Sequence, residues 1–274
     1  MKNLLRADFK RVFKDKLLLV LGILAVVFAL ITPLLYVAIF SVMTAEEAEM
    51  MGTLISAKAQ FFGSFSLGNN LGLIAPVLLA IALCKDFSFG TIRNKVIAGK
   101  SRSAIFFSLF VTCSVVLIGV MLLHAFVTLG VSLVFFDYQP TAFVLADLWY
   151  FLMSLGFEIL VLLWVSALLS CLCATMKNVG LVIVLYIAVA FLLVIAASIV
   201  QVAIPILESV GGNETVLHIL RFVDRVNVGN ASMYIGVGTA YTVEDVLYLT
   251  VPASLGILAF VGLGLWRFNK KDLK

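Results

Sequence analysis

The amino-acid sequence predicts an all-α polytopic membrane protein with six transmembrane helices, and two observations support this fold class. The first is composition: only 12% of the 274 residues are charged and 63% are hydrophobic, with a mean hydropathy of +1.18. Soluble domains carry about 25% charged residues. A soluble protein of this length could not bury so many apolar residues in its core, so we expect many of them to face lipid. The second is a set of long charge-free runs, since a spanning helix needs roughly 20 apolar residues.

Six runs are long enough to span a bilayer, and we treat residues 1–274 as a single transmembrane domain. The predicted spans cover about 17–42, 62–84, 103–135, 148–175, 179–205 and 246–267. At about 1.5 Å per residue, the third run exceeds a ~30 Å hydrocarbon core, so it should tilt or project into water. The first run is longer than the apolar region of a signal peptide, so we expect an uncleaved span.

Basic residues lie mostly on one side of the predicted spans. Of the 19 Lys and Arg residues, only Lys58, Arg221 and Arg225 fall on the side opposite the termini. The positive-inside rule therefore predicts a protein of the plasma membrane with both termini in the cytoplasm. The net charge of +4 reflects this topology. It is no evidence for a nucleic-acid partner, and we expect none.

Residues 1–16 have the periodicity of an amphipathic helix. A basic stripe with a spacing of four residues contains Lys2, Arg6, Lys10 and Lys14. An apolar face contains Leu5, Phe9, Val12 and Phe13. This pattern predicts a helix in the membrane interface with its cations toward anionic lipid. The alternative is a positively charged flank of the first span.

Two segments on the side opposite the termini have helical features. The loop at 45–58 is acidic and is predicted to form a short solvated helix. The segment 208–245 is the largest on this side. Its apolar residues at helical spacing are Val216, Ile219, Leu220 and Val223. We therefore predict short interfacial or re-entrant outer helices before the sixth span.

A charged segment at 85–102 separates the second and third predicted spans. Thr91 can N-cap a short helix and Gly99 can end it in the left-handed conformation, which predicts a helix over about 90–99. Its predicted apolar face contains Ile92, Val96 and Ile97, surrounded by Arg93, Lys95 and Lys100. Such a two-faced helix suits the groove of a soluble partner. A positively charged turn is the alternative.

Sites for chemistry are scarce. Gly99-Lys100-Ser101 matches only the end of a P-loop, because Asn94 stands where its first glycine belongs. We therefore expect no ATP site, metal site, cofactor or catalytic residue in this chain, and no enzyme activity. The four cysteines fall in spans or at their ends, which implies no disulfide framework.

Glu158 and His124 are ionisable residues inside predicted spans. A carboxylate there costs roughly 2.5–3.5 kcal/mol, so it usually faces the bundle interior or a water-filled cavity. Glu158 is either a polar contact in a translocation path or subunit interface, or a neutral, hydrogen-bonded structural group. His124 is a weaker candidate for the path, and we expect it to be packed and hydrogen-bonded. A membrane enzyme using both residues and an ion-coupled secondary transporter are the alternative functions.

One segment resembles a known family. The run Asp86-Phe87-Ser88-Phe89-Gly90-Thr91-Ile92-Arg93, followed by Lys100-Ser101-Arg102, is similar to the signature of ABC-2-type transporter permeases. The N-terminal helix, the long outer segment and the tail Phe268-x-x-x-Asp272-Leu273 are similar as well. One departure is Lys85, which stands before Asp86 where a second acidic residue is common.

The resemblance implies the membrane subunit of a bacterial ABC exporter. Two permease subunits, identical or related, would pair above two separate ATP-binding subunits, which would hold ATP and Mg. The N-terminal helix and the 90–99 coupling helix would contact the ATPase. The coupling residues implied are Asp86, Gly90, Thr91, Ile92, Arg93, Lys95, Val96, Ile97 and Arg102. The implied substrate classes are antimicrobial peptides, drugs and lipid-like amphiphiles.

Overall fold

The computed structural model describes residues 2–44, 55–66, 68, 71–138, 143–176, 178–236 and 240–270. Within these ranges the regular structure is helical throughout. The helices, numbered here in chain order, are α1 (Lys2–Val12), α2 (Lys16–Phe40), α3 (Ala57–Gly63), α4 (Ile74–Ser88), α5 (Thr91–Ile97), α6 (Arg102–Phe135), α7 (Leu145–Thr175), α8 (Val179–Ser209), α9 (Glu214–Val226), α10 (Val228–Met233) and α11 (Val243–Lys270).

Five of the described helices, α2, α6, α7, α8 and α11, are long and apolar enough to cross a membrane. This confirms the predicted all-helical, multi-pass character. Helix α4 has 15 residues, fewer than the roughly 20 that a span needs. It passes the same test only together with α5, from which it is bent by 50°.

The predicted second span, 62–84, is not one helix. Helix α3 ends at Gly63, turns occupy 64–66, and α4 begins only at Ile74. Serine and glycine residues in this stretch favour turns over helix. The Tyr186 hydroxyl donates to the carbonyl oxygen of Gly72 at 2.8 Å. A side chain of α8 thus satisfies backbone that the missing helical turn leaves free.

Contacts define two ends of the bundle. At the terminal end, α1 and α5 meet through Lys95 and Asp8, and the Arg102 guanidinium donates to carbonyl oxygens of α11. At the opposite end, the Ala57 N–H donates to the carbonyl oxygen of Asp137, 3.1 Å away. Segment 57–88 therefore runs from the opposite end, where α3 lies beside the end of α6, back to the terminal end.

The core is centred on α6 and α7, which bury far more of their surface than α2, α8 and α11. Glycines allow α11 to approach its neighbours closely. A Cβ on Gly256 would overlap the Trp164 indole, and one on Gly264 would lie 2.6 Å from the Phe106 ring. The flanking helices leave large apolar side chains exposed along their outer faces.

The segments between the long helices match the predictions only in part. Helix α1 ends at Val12, so Lys14 lies in the turn that follows it, because Asp15 already caps α2. Two short helices, α9 and α10, lie within the predicted outer segment 208–245. The acidic part of the predicted helix at 45–58 lies outside the described residues.

Candidate coupling site at the terminal end

Helix α1 packs against α6 with a face that contains a carboxylate. Its buried residues, Leu4, Asp8 and Val12, recur every four positions. The chain then reverses, and the Asp15 side chain caps α2 by accepting from the Leu17 N–H at 3.0 Å. This tight connection holds α1 against the bundle.

Four charged residues from three helices form a buried cluster. The Lys95 ammonium lies 2.6 Å from Oδ1 of Asp8 and 3.4 Å from Oδ2 of Asp86. Arg11 pairs with Asp86 as well. The Ser108 hydroxyl donates to Oδ2 of Asp8 at 2.6 Å. The two carboxylate side chains are only 2% and 1% exposed, whereas Arg11 is 34% exposed, so the cluster ties α1, α4 and α5 to α6 with its acidic side inside and Arg11 at its edge.

A second ion pair reinforces this attachment. The Lys85 ammonium, at the end of α4, lies 2.9 Å from Oδ2 of Asp15. Burial opposes ionisation of this carboxyl, but the Leu17 N–H and Lys85 outweigh it and hold the pKa of Asp15 below its usual value. Burial also lowers the pKa of Arg11 despite its acidic neighbours.

Helix α5 projects from the cluster between two left-handed glycines. Gly99 has φ +74°, as predicted, and ends the helix. The predicted cap at Thr91 is wrong: the N-cap is Gly90, with φ +69° and no side-chain bond, and Thr91 is the first helical residue. Ser101 caps α6 by accepting from the Ala104 N–H at 3.3 Å.

The apolar face predicted for α5 is divided between the interior and the surface. Ile92 is 2% exposed and Val96 packs partly against the core, whereas Ile97 is 73% exposed. Phe89, just before the helix, is 78% exposed, and Arg93 is exposed beside it. We call Phe89, Arg93 and Ile97 the exposed tip.

Two other predicted residue groups lie at this end. Arg102 donates to the carbonyl oxygens of Phe268 at 3.1 Å and Asn269 at 2.9 Å, which caps the last turn of α11. The ring of Phe268 meets that of Phe87 edge-on at 6.0 Å. The basic residues predicted for the interfacial helix are all exposed: Lys2, Arg6, Lys10 and Lys14.

Glu158 and His124 are both buried inside the bundle, at 0% and 3% exposure. The structure does not bring them to one cavity: His124 faces a cavity between α2, α3 and α6, and Glu158 is not among the described residues that line it. His124 is packed as expected, but neither ring nitrogen has a hydrogen-bond partner among the described residues, contrary to our expectation.

Sequence reasoning missed most of the buried cluster. Asp8 and Ser108 did not stand out, and Arg11 counted only as a topology-determining charge. One signal was available. Asp8 is the only acidic residue among the first 14, and it lies in register with Leu4 and Val12. An acid on a buried face requires a cationic partner.

In this arrangement buried charges hold α1, α4 and α5 together, and the exposed tip is left uncovered.

Within the described part of the chain, no three His, Cys, Asp or Glu side chains are grouped to hold a metal ion. No protein-family model matches this chain, and no curated protein matches it.

Proposed function

We propose that this chain is the permease subunit of an ATP-driven exporter of the ABC-2 type. The observation that carries the proposal is the buried cluster of Asp8, Asp86, Arg11 and Lys95, which joins the N-terminal helix to α5 beneath an exposed tip. Because the exposed tip is anchored in this way, a soluble protein that binds and displaces it would also displace the helices of the bundle.

The proposal includes six crossings, with α3 and α4 together forming a broken second crossing. Basic residues concentrate at the terminal end, which favours cytoplasmic termini. Two permease subunits would pair in the plasma membrane. Two ATP-binding subunits would dock at the terminal end and would hold ATP and Mg themselves, since this chain carries no P-loop.

The exposed tip has the chemistry of a docking surface. Two large apolar side chains, Phe89 and Ile97, are 78% and 73% exposed and flank the cationic Arg93. Aromatic and Arg side chains are enriched among the residues that dominate interface energies. Ile92 and Val96 anchor α5 to the bundle instead, and Lys95 acts within the buried cluster.

The test is a pull-down from native membranes in mild detergent, with the bound ATPase identified by mass spectrometry. Phe89→Asp together with Ile97→Asp should release a P-loop ATPase and abolish ATP-dependent transport, while membrane insertion is kept. Val42→Asp is the matched control, because Val42 is 84% exposed in the turn after α2, at the opposite end. Retention of the ATPase by the tip variant would contradict the proposed docking site.

One observation favours a second candidate, an ion-coupled secondary transporter. Such proteins use helices interrupted at membrane depth, and the break between Gly63 and Ile74 is of this kind. Uptake by the purified chain in liposomes, driven by an ion gradient with no ATPase present, would support this candidate. Transport only after addition of the ATPase would support the exporter.

A further inference from the structure

A polar cavity of about 170 Å³ lies between α2, α3 and α6. Its polar lining consists of Thr32, Tyr36, Gln60, Ser64, His124 and Thr128. These side chains come from helices that are otherwise strongly apolar. The cavity is far larger than the roughly 10–15 Å³ that one water molecule needs, so it has room for several waters or for a polar group of a ligand.

Gln60 and His124 both line this cavity. Three buried nitrogen atoms of these two side chains, Nε2 of Gln60 and both ring nitrogens of His124, have no hydrogen-bond partner among the described residues. The two side chains are only 9% and 3% exposed. Each unsatisfied buried polar group costs about 1–3 kcal/mol. A polar group that enters the cavity and reaches an unsatisfied nitrogen of Gln60 or His124 would therefore stabilise the site.

The orientation of these side chains is set by their other bonds. The Ser132 hydroxyl donates to Oε1 of Gln60 at 3.0 Å, which leaves the amide nitrogen of Gln60 as the free donor. The Thr128 hydroxyl donates to the backbone carbonyl oxygen of His124 at 2.9 Å. The Ser64 hydroxyl is directed to the carbonyl oxygen of Phe61 at 2.6 Å. The free atoms are thus mainly donors, with one imidazole nitrogen as an acceptor.

The cavity lies at membrane depth and opens sideways. At 1.5 Å per residue, Thr128 and His124 lie about 10–17 Å from the far end of α6 at Phe135. On α2, Thr32 is exposed and Tyr36 is half-buried, so the opening is toward the outer, apolar face of α2. A ligand that enters here would carry an apolar portion as well as a polar one.

We propose that this cavity binds the uncharged, oxygen-bearing head of an amphiphile, a hydroxyl or carbonyl group. An oxygen of the ligand accepts from Nε2 of Gln60 and from the protonated ring nitrogen of His124. A ligand hydroxyl donates to the other ring nitrogen. Among the described residues no Asp, Glu, Lys or Arg lines the cavity, so an ionised head would lose its hydration without a counter-ion from them. The site does not depend on how transport is driven.

The probe is monoolein, whose head has two hydroxyl groups and an ester carbonyl. The chain has two histidines, so His218→Gln leaves His124 as the only imidazole for ¹⁵N NMR. The chain is placed in phosphatidylcholine nanodiscs and titrated with monoolein, or with glycerol in the buffer. Each is expected to shift the His124 ring resonances in a saturable way if its head reaches the cavity. A shift with monoolein identifies a lipid-borne source, and a shift with glycerol alone identifies a free polyol.

Two variants make the result decisive. Gln60→Leu should weaken the probe's affinity about tenfold, the value of one hydrogen bond of about 1.4 kcal/mol, whereas Gln201→Leu on α8 should not. Thr32→Phe narrows the opening from an exposed position, so folding is kept and the monoolein shift should be lost. No shift with either probe, or a shift that both cavity variants leave unchanged, would overturn the proposal.

Discussion

Replacing Lys95 by Met tests whether the buried cluster holds α1 to the bundle. Methionine keeps the length and apolar stem of the side chain and removes only the charge. In the native chain the ammonium contacts Asp8 at 2.6 Å and Asp86 at 3.4 Å. After the change, Asp86 retains its pair with Arg11, whereas Asp8 retains the Ser108 hydroxyl and the Coulomb attraction of Arg11 but has lost its direct ion pair.

The loss of stability expected for Lys95→Met follows from the different partners that Asp8 and Asp86 keep. Removing one partner of a buried ion pair costs about 3–5 kcal/mol, because the other charge stays buried without compensation. Asp8 is 2% exposed, but its bond to Ser108 places the cost at the low end, about 3 kcal/mol. Since 1.4 kcal/mol is a factor of ten, local opening of α1 should become about 100-fold more frequent.

Hydrogen exchange of the peptide covering 2–12, followed by mass spectrometry, measures that opening. The matched control is Lys100→Met, which removes an exposed charge from the same segment and should change stability by less than about 0.5 kcal/mol. Adding Asp8→Asn to Lys95→Met should restore part of the protection, because the orphaned charge is removed. Exchange in Lys95→Met within twofold of the control would refute the buried-pair reasoning.

Three further predictions test other contacts. Gly236→Ala should prevent stable folding, since a Cβ at this φ +80° position would overlap the α3 backbone. Gly99→Ala is the control, because Gly99 has φ +74° with open space around it. Thermal unfolding should show that Gly99→Ala lowers the free energy of unfolding by only about 1–2 kcal/mol. Arg102→Gln should make the C-terminal end of α11 more susceptible to limited proteolysis, with a loss of about 1.5–3 kcal/mol; unchanged cleavage would argue against the cap. Cys84 and Cys173 have sulfur atoms 3.2 Å apart and should form a disulfide on treatment with diamide, seen after denaturation as two thiols that no longer react with maleimide. Four reactive thiols in the denatured, diamide-treated protein would contradict the α4–α7 packing.

Hydropathy was sufficient to predict the long helices, because lipid exposure requires continuous apolar sequence whatever the helices pack against. The left-handed glycine at 99 and the cap at Ser101 were also predictable, since both depend on local backbone chemistry. The break at 64–73 was not predicted. Its residues are uncharged, so a hydropathy window does not distinguish it from a span, and it depends on a hydrogen bond from Tyr186, more than 110 residues away.

The buried cluster could not be derived from the sequence either, because it also depends on contacts between residues that are distant along the chain. Each of its ion pairs joins residues from different helices, and Asp8 meets Lys95 only after α1 has folded back onto α6. A basic segment before a first span predicts topology whether or not one of its residues is buried. The division of the predicted α5 face, with Ile92 inside and Ile97 outside, likewise depends on how α5 is oriented by Lys95.

Helix α4 connects the buried cluster at the terminal end with the break after α3. Its last turns carry Asp86, which pairs with α1 and α5, and Lys85, which pairs with Asp15 at the start of α2. Its first turn follows the break, 15 residues or about 22 Å away. Because Lys95 of α5 pairs with Asp86 of α4, a displacement of the exposed tip would also displace α4, which would move as one rigid helix. Such movement can be absorbed where α3 ends at Gly63, because the turns at 64–66 interrupt the regular helix there. In the exporter that we propose, movement driven from the terminal end would therefore change the bundle first around the break, beside the cavity lined by His124 and Gln60.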